Sequence, residues 1–376
     1  MPGPVVLPGR DGVHELELVD GLIGAIRPSS APEGRLALPA FADLHVHSDR
    51  AFARGPRPPR SLADAIELVA EVKRSCTEEL VRERAETLFG RSLLHGSLRV
   101  RTHVDVDRLV EDRTIRGVVA ARETFAGRLD VEIVAFATAY TNPASDDGER
   151  RLRDALEGGA DLLGAVPAFH PDPAASLEHL LDLAAACDVD VDLHLDETVD
   201  ASRFQLEQLA DATLARGLEG RVTASHCCAL ASVDAATAQR TIEKVAAAGI
   251  TVIALPALNL YLEDRAVTTP RLRGITLVLE LLEAGVPVRF GSDNVGDVFY
   301  PYGDADPLEA AWLAALAAHV DDEDVLLAGA CAGRTRIEEG DPADLVLIDA
   351  GSVRDALARR PAGRTVVRAG EVVSHG

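Results

Sequence analysis

Lysine is almost missing from this chain: it stands only at Lys73 and Lys244, and arginine supplies nearly all the positive charge. Aromatic residues make up 4 % of the 376 residues, too few for the stacking platform that single-stranded nucleic acid requires. Basic charge as a whole is in deficit. Lys and Arg number 38 against 61 Asp and Glu, a net charge of −23, which repels phosphate backbones and anionic lipid and excludes nucleic acid and membrane surfaces as charge-driven partners. Cysteine occurs at Cys76, Cys187, Cys227, Cys228 and Cys331, an odd and widely spaced set without a CxxC pair. That excludes a disulfide framework and a cysteine-based zinc site. The opening Met-Pro-Gly-Pro has no basic segment leading into an apolar core, so no secretory signal is expected and the reading is a soluble, cytoplasmic protein. One uncharged run, Val245 to Leu262, is long enough to resemble a membrane span. Gly249, Pro256 and Asn259 interrupt it, and it reads better as helix end, turn, buried strand and loop. Internal repeats and low-complexity tracts are absent.

What is present is a core-forming chain. Apolar residues are 47 %, enough for a sizeable interior and too many for a disordered chain. The first stretch, to Leu38, is punctuated by Gly and Pro, and His14 to Leu18 alternates at the period of a half-exposed strand. The last stretch resembles it, with strand-like runs at Ala343–Ile348, Arg364–Arg368 and Glu371–Val373. Neither end can bury a core alone, so residues 1–38 and 335–376 are expected to build one small β-sandwich together. Between them, residues 39–334 alternate β-branched runs with Ala/Leu/Glu/Arg stretches. The strand candidates are Ala37–His47, Arg99–Val106, Val131–Ala137, Leu163–Phe169, Val189–Leu195, Val222–His226, Thr251–Leu255 and Val288–Gly291. Several are apolar throughout, as strands of a parallel sheet covered on both faces must be. Helices fall between them. Ser61 reads as an N-cap with Asp64 three residues on, followed by Leu62, Ile66, Val69 and Val72 at helical spacing. Ser176–Cys187 and Ala236–Ala248 are similar. The pattern predicts an α/β fold, a (β/α)8 barrel of TIM type. A doubly wound open sheet is disfavoured because no Gly-rich phosphate loop follows the first strand; Asp43-Leu44-His45-Val46-His47 stands there instead.

Catalytic groups of such a barrel sit at the C-terminal ends of its strands. There the sequence places His45 and His47, then His194 with Asp196 and Glu197, then His226, then Asp293 with Asn294. The two-residue spacing of His45 and His47 puts both imidazoles on one face of the strand. Any one of these histidines alone is most simply a hydrogen-bonded core residue. Their recurrence at four independent strand ends is not explained that way. Imidazole and carboxylate ligands suit one divalent ion, Zn(II) or Fe(II), with a position left open to water. Asp293 is placed to accept a proton, Glu197 to shuttle one, and His226 to stabilise charge on the attacked oxygen. Alternation points Asp196 away from the site, and it is expected to be structural. His103, inside the second strand, is expected to support the site from behind, and Cys227 and Cys228 to be packing residues. The His-x-Glu and Pro-Cys-x-x-Cys signature of deaminases that act within nucleic acid is missing, which favours a free small molecule as substrate.

These segments resemble the amidohydrolase superfamily, and within it the bacterial cytosine deaminase branch with its N-isopropylammelide aminohydrolase-like relatives. The resemblance is carried by Pro39–His47, Arg101-Thr102-His103-Val104-Asp105-Val106, Ile133-Val134-Ala135-Phe136, Gly164–Pro167, His194–Glu197, Arg221–His226, Arg273–Thr276 and Gly291–Val295, in that order over nearly the whole chain. It implies one divalent metal on His45, His47, His194 and Asp293, the proton-shuttling role on Glu197, and the sixth-strand His role on His226. With no Lys on the fourth strand, the carbamylated-Lys bridge of binuclear relatives is not expected. In the pocket the chain departs from the branch. The Gln that reads a pyrimidine edge corresponds to Thr138, and an Asp that follows the metal-binding Asp corresponds to Asn294. Leu62 and Phe299 fall at apolar and aromatic pocket positions, and His170, after the fourth strand, is a further candidate for substrate contact.

The expected function is therefore metal-dependent hydrolytic deamination of a free aminated nitrogen heterocycle, cytosine-like or related. Release of a substituted amine from a triazine-like ring and cyclic-amide ring opening are the enzymatic alternatives. A barrel that binds a ligand without turnover is the alternative of another class. The small heterocycle is the expected partner, and assembly into a homo-oligomer is expected from the resemblance.

Overall fold

A computed structural model describes residues 3–375, so the first two residues of the opening tetrapeptide lie outside the described residues. Eight parallel strands run in sequential order around a barrel: Phe41–Val46, Ser97–Val106, Asp130–Ala137, Leu162–Ala165, Val191–Leu195, Val222–His226, Thr251–Ala254 and Val288–Phe290. The first and last meet where Val46 bridges to Asp293 and the Asp293 N–H donates to the His45 carbonyl at 2.8 Å. Gly291 makes that closure possible. A Cβ there would lie 2.8 Å from the Leu255 side chain and 3.0 Å from His45 Cβ, closer than any ordinary packing contact. Helices follow each strand on the outside, and the strands' outward apolar residues join them in one continuous core that includes Phe89, Val104, Ile133, Leu163 and Leu193. This is the TIM-type barrel that the strand–helix rhythm predicts.

Both ends of the chain combine into a second sheet. Its seven strands lie in the order Glu371–His375, Arg364–Arg368, Leu345–Ile348, Arg35–Pro39, Val5–Val6, Val13–Val19 and Leu22–Pro28. All neighbours pair antiparallel except Val5–Val6 with Arg35–Pro39. Val5, Leu16, Ile23, Leu345, Leu347 and Val367 form its own small core. The sheet is fastened to the barrel by the buried Arg364, whose guanidinium donates to both oxygens of Asp306 at 2.7 Å and to the His95 carbonyl at 2.6 Å.

Three segments differ from the sequence-based expectation. The single strand expected over Ala37–His47 is two, in different sheets: Arg35–Pro39 pairs in the terminal sheet and Phe41–Val46 opens the barrel. Ala40 is the switch, its N–H donating to the Asp344 carbonyl while Phe41 N–H donates to Gly96. The fourth strand stops at Ala165, because Pro167 has no N–H for the ladder and instead starts the 3-10 turn Pro167–Phe169. Residues after Leu255, expected as loop, form the helix Pro256–Leu262 with proline at its first position, where no N–H is needed. Among the described residues no helix is long and apolar enough to cross a membrane.

Candidate active site

Four strand ends converge. His45 and His47 come from the first strand, His194 from the fifth, His226 from the end of the sixth, and Asp293 follows the eighth. His226 and Asp293 adopt left-handed backbone angles, φ 71° and 61°, a conformation non-glycine residues hold only when the surroundings enforce it. The donor atoms of His45, His47, His194 and Asp293 lie within 4.8 Å of one another, and all four side chains are buried. His194 Nε2 stands 3.2 Å from His45 Nε2 and 3.0 Å from His47 Nε2, and Asp293 Oδ1 is 3.3 Å from His47 Nε2.

Hydrogen bonding fixes which nitrogens face inward. Among the described residues the His103 carbonyl is the one partner of His47 Nδ1, at 3.2 Å, so that nitrogen carries the proton. Ser225 Oγ gives its one proton to the Asp192 carboxylate at 3.0 Å, so toward His45 Nδ1, 2.8 Å away, it can only accept. Both Nε2 atoms therefore present lone pairs to the centre. Burial, the largest influence, and neighbouring imidazoles keep His45 and His194 neutral, well below the usual histidine range; for His47 burial and Arg50 lead. Both oxygens of Asp293 are buried without a hydrogen-bond partner. Converging lone pairs and an orphaned carboxylate repel one another unless a cation sits between them, so this donor set fits a divalent ion.

Two further groups face the centre. His226 Nε2 lies 3.8 Å from Glu197 Oε2 and 3.8 Å from Asp293 Oδ2. Asn259 Nδ2 donates to His226 Nδ1 at 3.1 Å, which leaves the ring proton on the inward Nε2. Burial lowers the His226 pKa to about 3, so the ring is a neutral donor. Burial, then the charges of Asp293 and Glu263, pushes the Glu197 carboxyl well above the usual range. Asp196 turns away, as alternation requires, and accepts from the N–H groups of Gln205 and Leu206 at 2.8 and 3.1 Å. His103 packs under His45 with ring centroids 4.0 Å apart. Burial raises the thiols of Cys227 and Cys228 well above their ordinary values, which suits packing residues.

A cavity opens on this centre. His47, His194, Asp293 and Glu197 stand in its wall, with Leu62, Phe136, Tyr140, Phe169 and Phe299 as apolar lining. Leu62 is delivered by the helix Leu62–Arg74, whose N-cap Ser61 accepts the Asp64 N–H as the sequence pattern predicts. Thr138 and Asn294 also line the cavity, but both are engaged. Thr138 Oγ1 donates to Asp107 Oδ2 at 2.8 Å and accepts the Tyr140 N–H at 3.2 Å, while Asn294 Nδ2 donates to Asp297 Oδ2 at 2.7 Å. His170 is the correction. It lies outside the lining, with Nδ1 on Ser176 Oγ at 2.6 Å and Nε2 on the Thr138 carbonyl at 3.0 Å, so it braces the wall instead of facing a ligand.

Sequence reasoning missed Lys73, Arg50 and Asp105, all in the lining. Two of them carried a signal. His103 and Asp105 alternate along the second strand with Asp107 just past its end, and Lys73 is one of only two lysines, eleven residues after Leu62 on the same helix face; Arg50 carried none.

Residues 79–375 match the model of the amidohydrolase family, and the chain belongs to that family. It is 36 % identical to a pterin deaminase of Rhizobium rhizogenes across 97 % of this chain and 89 % of that protein. Among solved structures it resembles 5-methylcytosine deaminase from Klebsiella pneumoniae liganded with 5-fluorocytosine, at 30 % identity and a TM-score of 0.90, covering 99 % of this chain and 96 % of the other. N-isopropylammelide isopropylaminohydrolase from Burkholderia multivorans follows at 27 % identity and a TM-score of 0.83, covering 98 % and 96 %.

Proposed function

We propose that this chain hydrolyses an exocyclic amine from a free aminated nitrogen heterocycle, releasing ammonia, and that its substrate is a fused ring of pterin type. The observation that carries the reaction class is the placement of Glu197 and the Nε2–H of His226 beside the His45/His47/His194/Asp293 cluster, at the inner wall of a largely apolar cavity. Four aromatic rings in the cavity wall suit a flat ring, and the similarity to a pterin deaminase supports a fused one.

His45, His47, His194 and Asp293 would hold a divalent ion, zinc or iron, which would supply a Lewis acid and a water that ionises near neutral pH. The protein's own groups do the rest. Asp293 accepts the proton released by the water. Glu197, whose hold on its proton burial strengthens, donates from its carboxyl to the ring nitrogen beside the reacting carbon. His226 donates its Nε2–H to the oxygen joining that carbon, and Asn259 holds the tautomer. Glu197, now a carboxylate, takes the hydroxyl proton of the attacked carbon and delivers it to the leaving amine as the carbon–nitrogen bond breaks, and the proton held by Asp293 restores the Glu197 acid. The ring keeps the oxygen and ammonia departs. In this reading the barrel, 39–334, carries the chemistry, and the ends, 1–38 and 335–376, form one supporting unit.

The test is ammonia release by metal-loaded protein against pterin, cytosine, 5-methylcytosine, isoguanine and aminotriazines. Expected is turnover of pterin above the single-ring compounds. Ammonia from none of them, with metal bound, contradicts the proposal.

A further inference from the structure

The cavity wall holds a buried ammonium that the reaction does not use. Lys73 ends the run Leu62, Ile66, Val69 and Lys73 on one face of its helix, and all four line the cavity. Its ammonium is buried and fixed from two sides, 2.7 Å from Asp105 Oδ2 and 2.7 Å from Asp107 Oδ2. An ammonium has three N–H groups, and among the described residues these two carboxylates are its only polar partners. The third N–H is left over.

The other groups beside it are turned toward carboxylates. The Thr138 hydroxyl is spent on Asp107, and Arg50 is held between Asp105 and Asp297, with Nη1 donating to Asp105 Oδ1 at 2.6 Å and Nε 3.7 Å from Asp297 Oδ2. Lys73 also stands at ligand distance from the reacting centre. Asp105 offers an oxygen within 4.8 Å of a His47 nitrogen, so the ammonium is one carboxylate away from the cluster. Charge decides the kind of group it meets. Lys73 and Arg50 are matched by Asp105, Asp107 and Asp297, so no positive excess remains to attract an anion. A neutral oxygen acceptor suits one spare N–H.

We infer that Lys73 determines specificity by donating its third N–H to an exocyclic oxo oxygen of the heterocycle, so that the site selects aminated lactams over aminated rings without that oxygen. Asp105 and Asp107 aim the ammonium. Burial, the largest influence on it, lowers its pKa, but the two carboxylates together raise it, so the donor stays charged.

This inference rests on the deaminase reading, and the experiment separates the two. Ammonia release is measured for matched pairs, pterin with 2-aminopteridine and cytosine with 4-aminopyrimidine, using metal-loaded wild type, Lys73→Met and Lys73→Gln. Wild type is expected to prefer the oxo member by about 10- to 100-fold in kcat/KM, the effect of one charged hydrogen bond. Lys73→Met should bring the ratio close to one, chiefly by slowing the oxo substrate, and Lys73→Gln, which keeps an N–H, should fall between. A wild-type ratio near one overturns the assignment without any variant, and so decides the matter if Lys73→Met does not fold. Equal losses on both members, leaving the ratio unchanged, show a structural lysine and overturn it while the deaminase reading stands. Inactivity of the wild type on every pair, with metal bound, removes both.

Discussion

Ser225 Oγ accepts the Nδ1 proton of His45 across 2.8 Å, and it must, because its own proton is committed to Asp192. A residue next to the sixth-strand histidine thereby decides which nitrogen of a first-strand histidine faces the metal cluster. Ser225→Ala is expected to weaken metal binding about 10- to 100-fold, the usual effect of losing a partner behind a ligand. Competition with a chelator measures it, and an unchanged dissociation constant contradicts the role.

Removing a ligand outright has a larger effect. His45→Ala and Asp293→Ala should purify folded but with metal well below one equivalent by elemental analysis. Full occupancy in either would show that the ligands lie elsewhere.

Glu197→Gln keeps shape and removes the proton. Metal content and melting temperature should match wild type while turnover drops by at least about 100-fold, the scale of general acid–base catalysis. The pH dependence has a definite sign. Burial, Asp293 and Glu263 raise the Glu197 pKa, so its acid form persists to higher pH than that of an ordinary glutamate and activity should fall as pH rises past that raised value. Glu197→Asp, with its carboxyl drawn back, should move that alkaline limb; an unmoved limb would assign it to another group.

Stability has its own test. Arg364 joins the terminal sheet to Asp306, which also caps the helix Pro307–Ala317. Arg364→Met leaves a buried carboxylate without its partner and should cost about 3–5 kcal/mol in denaturant unfolding. Asp306→Asn in the same background should recover part of it. A loss no larger than that of an exposed arginine would mean that the sheet is held by other contacts.

Much of the architecture was legible because it depends on local periodicity. The strand Val222–His226 and the N-cap Ser61 are where the pattern puts them, and His45 and His47 share a face because two residues separate them. Legibility fails where a partner distant in sequence decides. Nothing local to Ala37–His47 says that the chain leaves one sheet for another at Ala40; the Asp344 carbonyl and Gly96 do that. Asn259 reads as a breaker in an apolar run until a helix starting at Pro256 brings it to His226. His170 stands at a strand end like the ligands, yet Ser176 and the Thr138 carbonyl take both its nitrogens. Burial of a lysine between two carboxylates cannot be seen before the second strand and the first helix are known to meet.

Turnover in oxygen-18 water tests the central claim most directly, with the best substrate of the ammonia screen. Expected is one labelled oxygen in the intact ring, on the carbon that lost its amine, with one ammonia per product. A ring-opened acid, or a product without label, would contradict hydrolytic deamination at this centre.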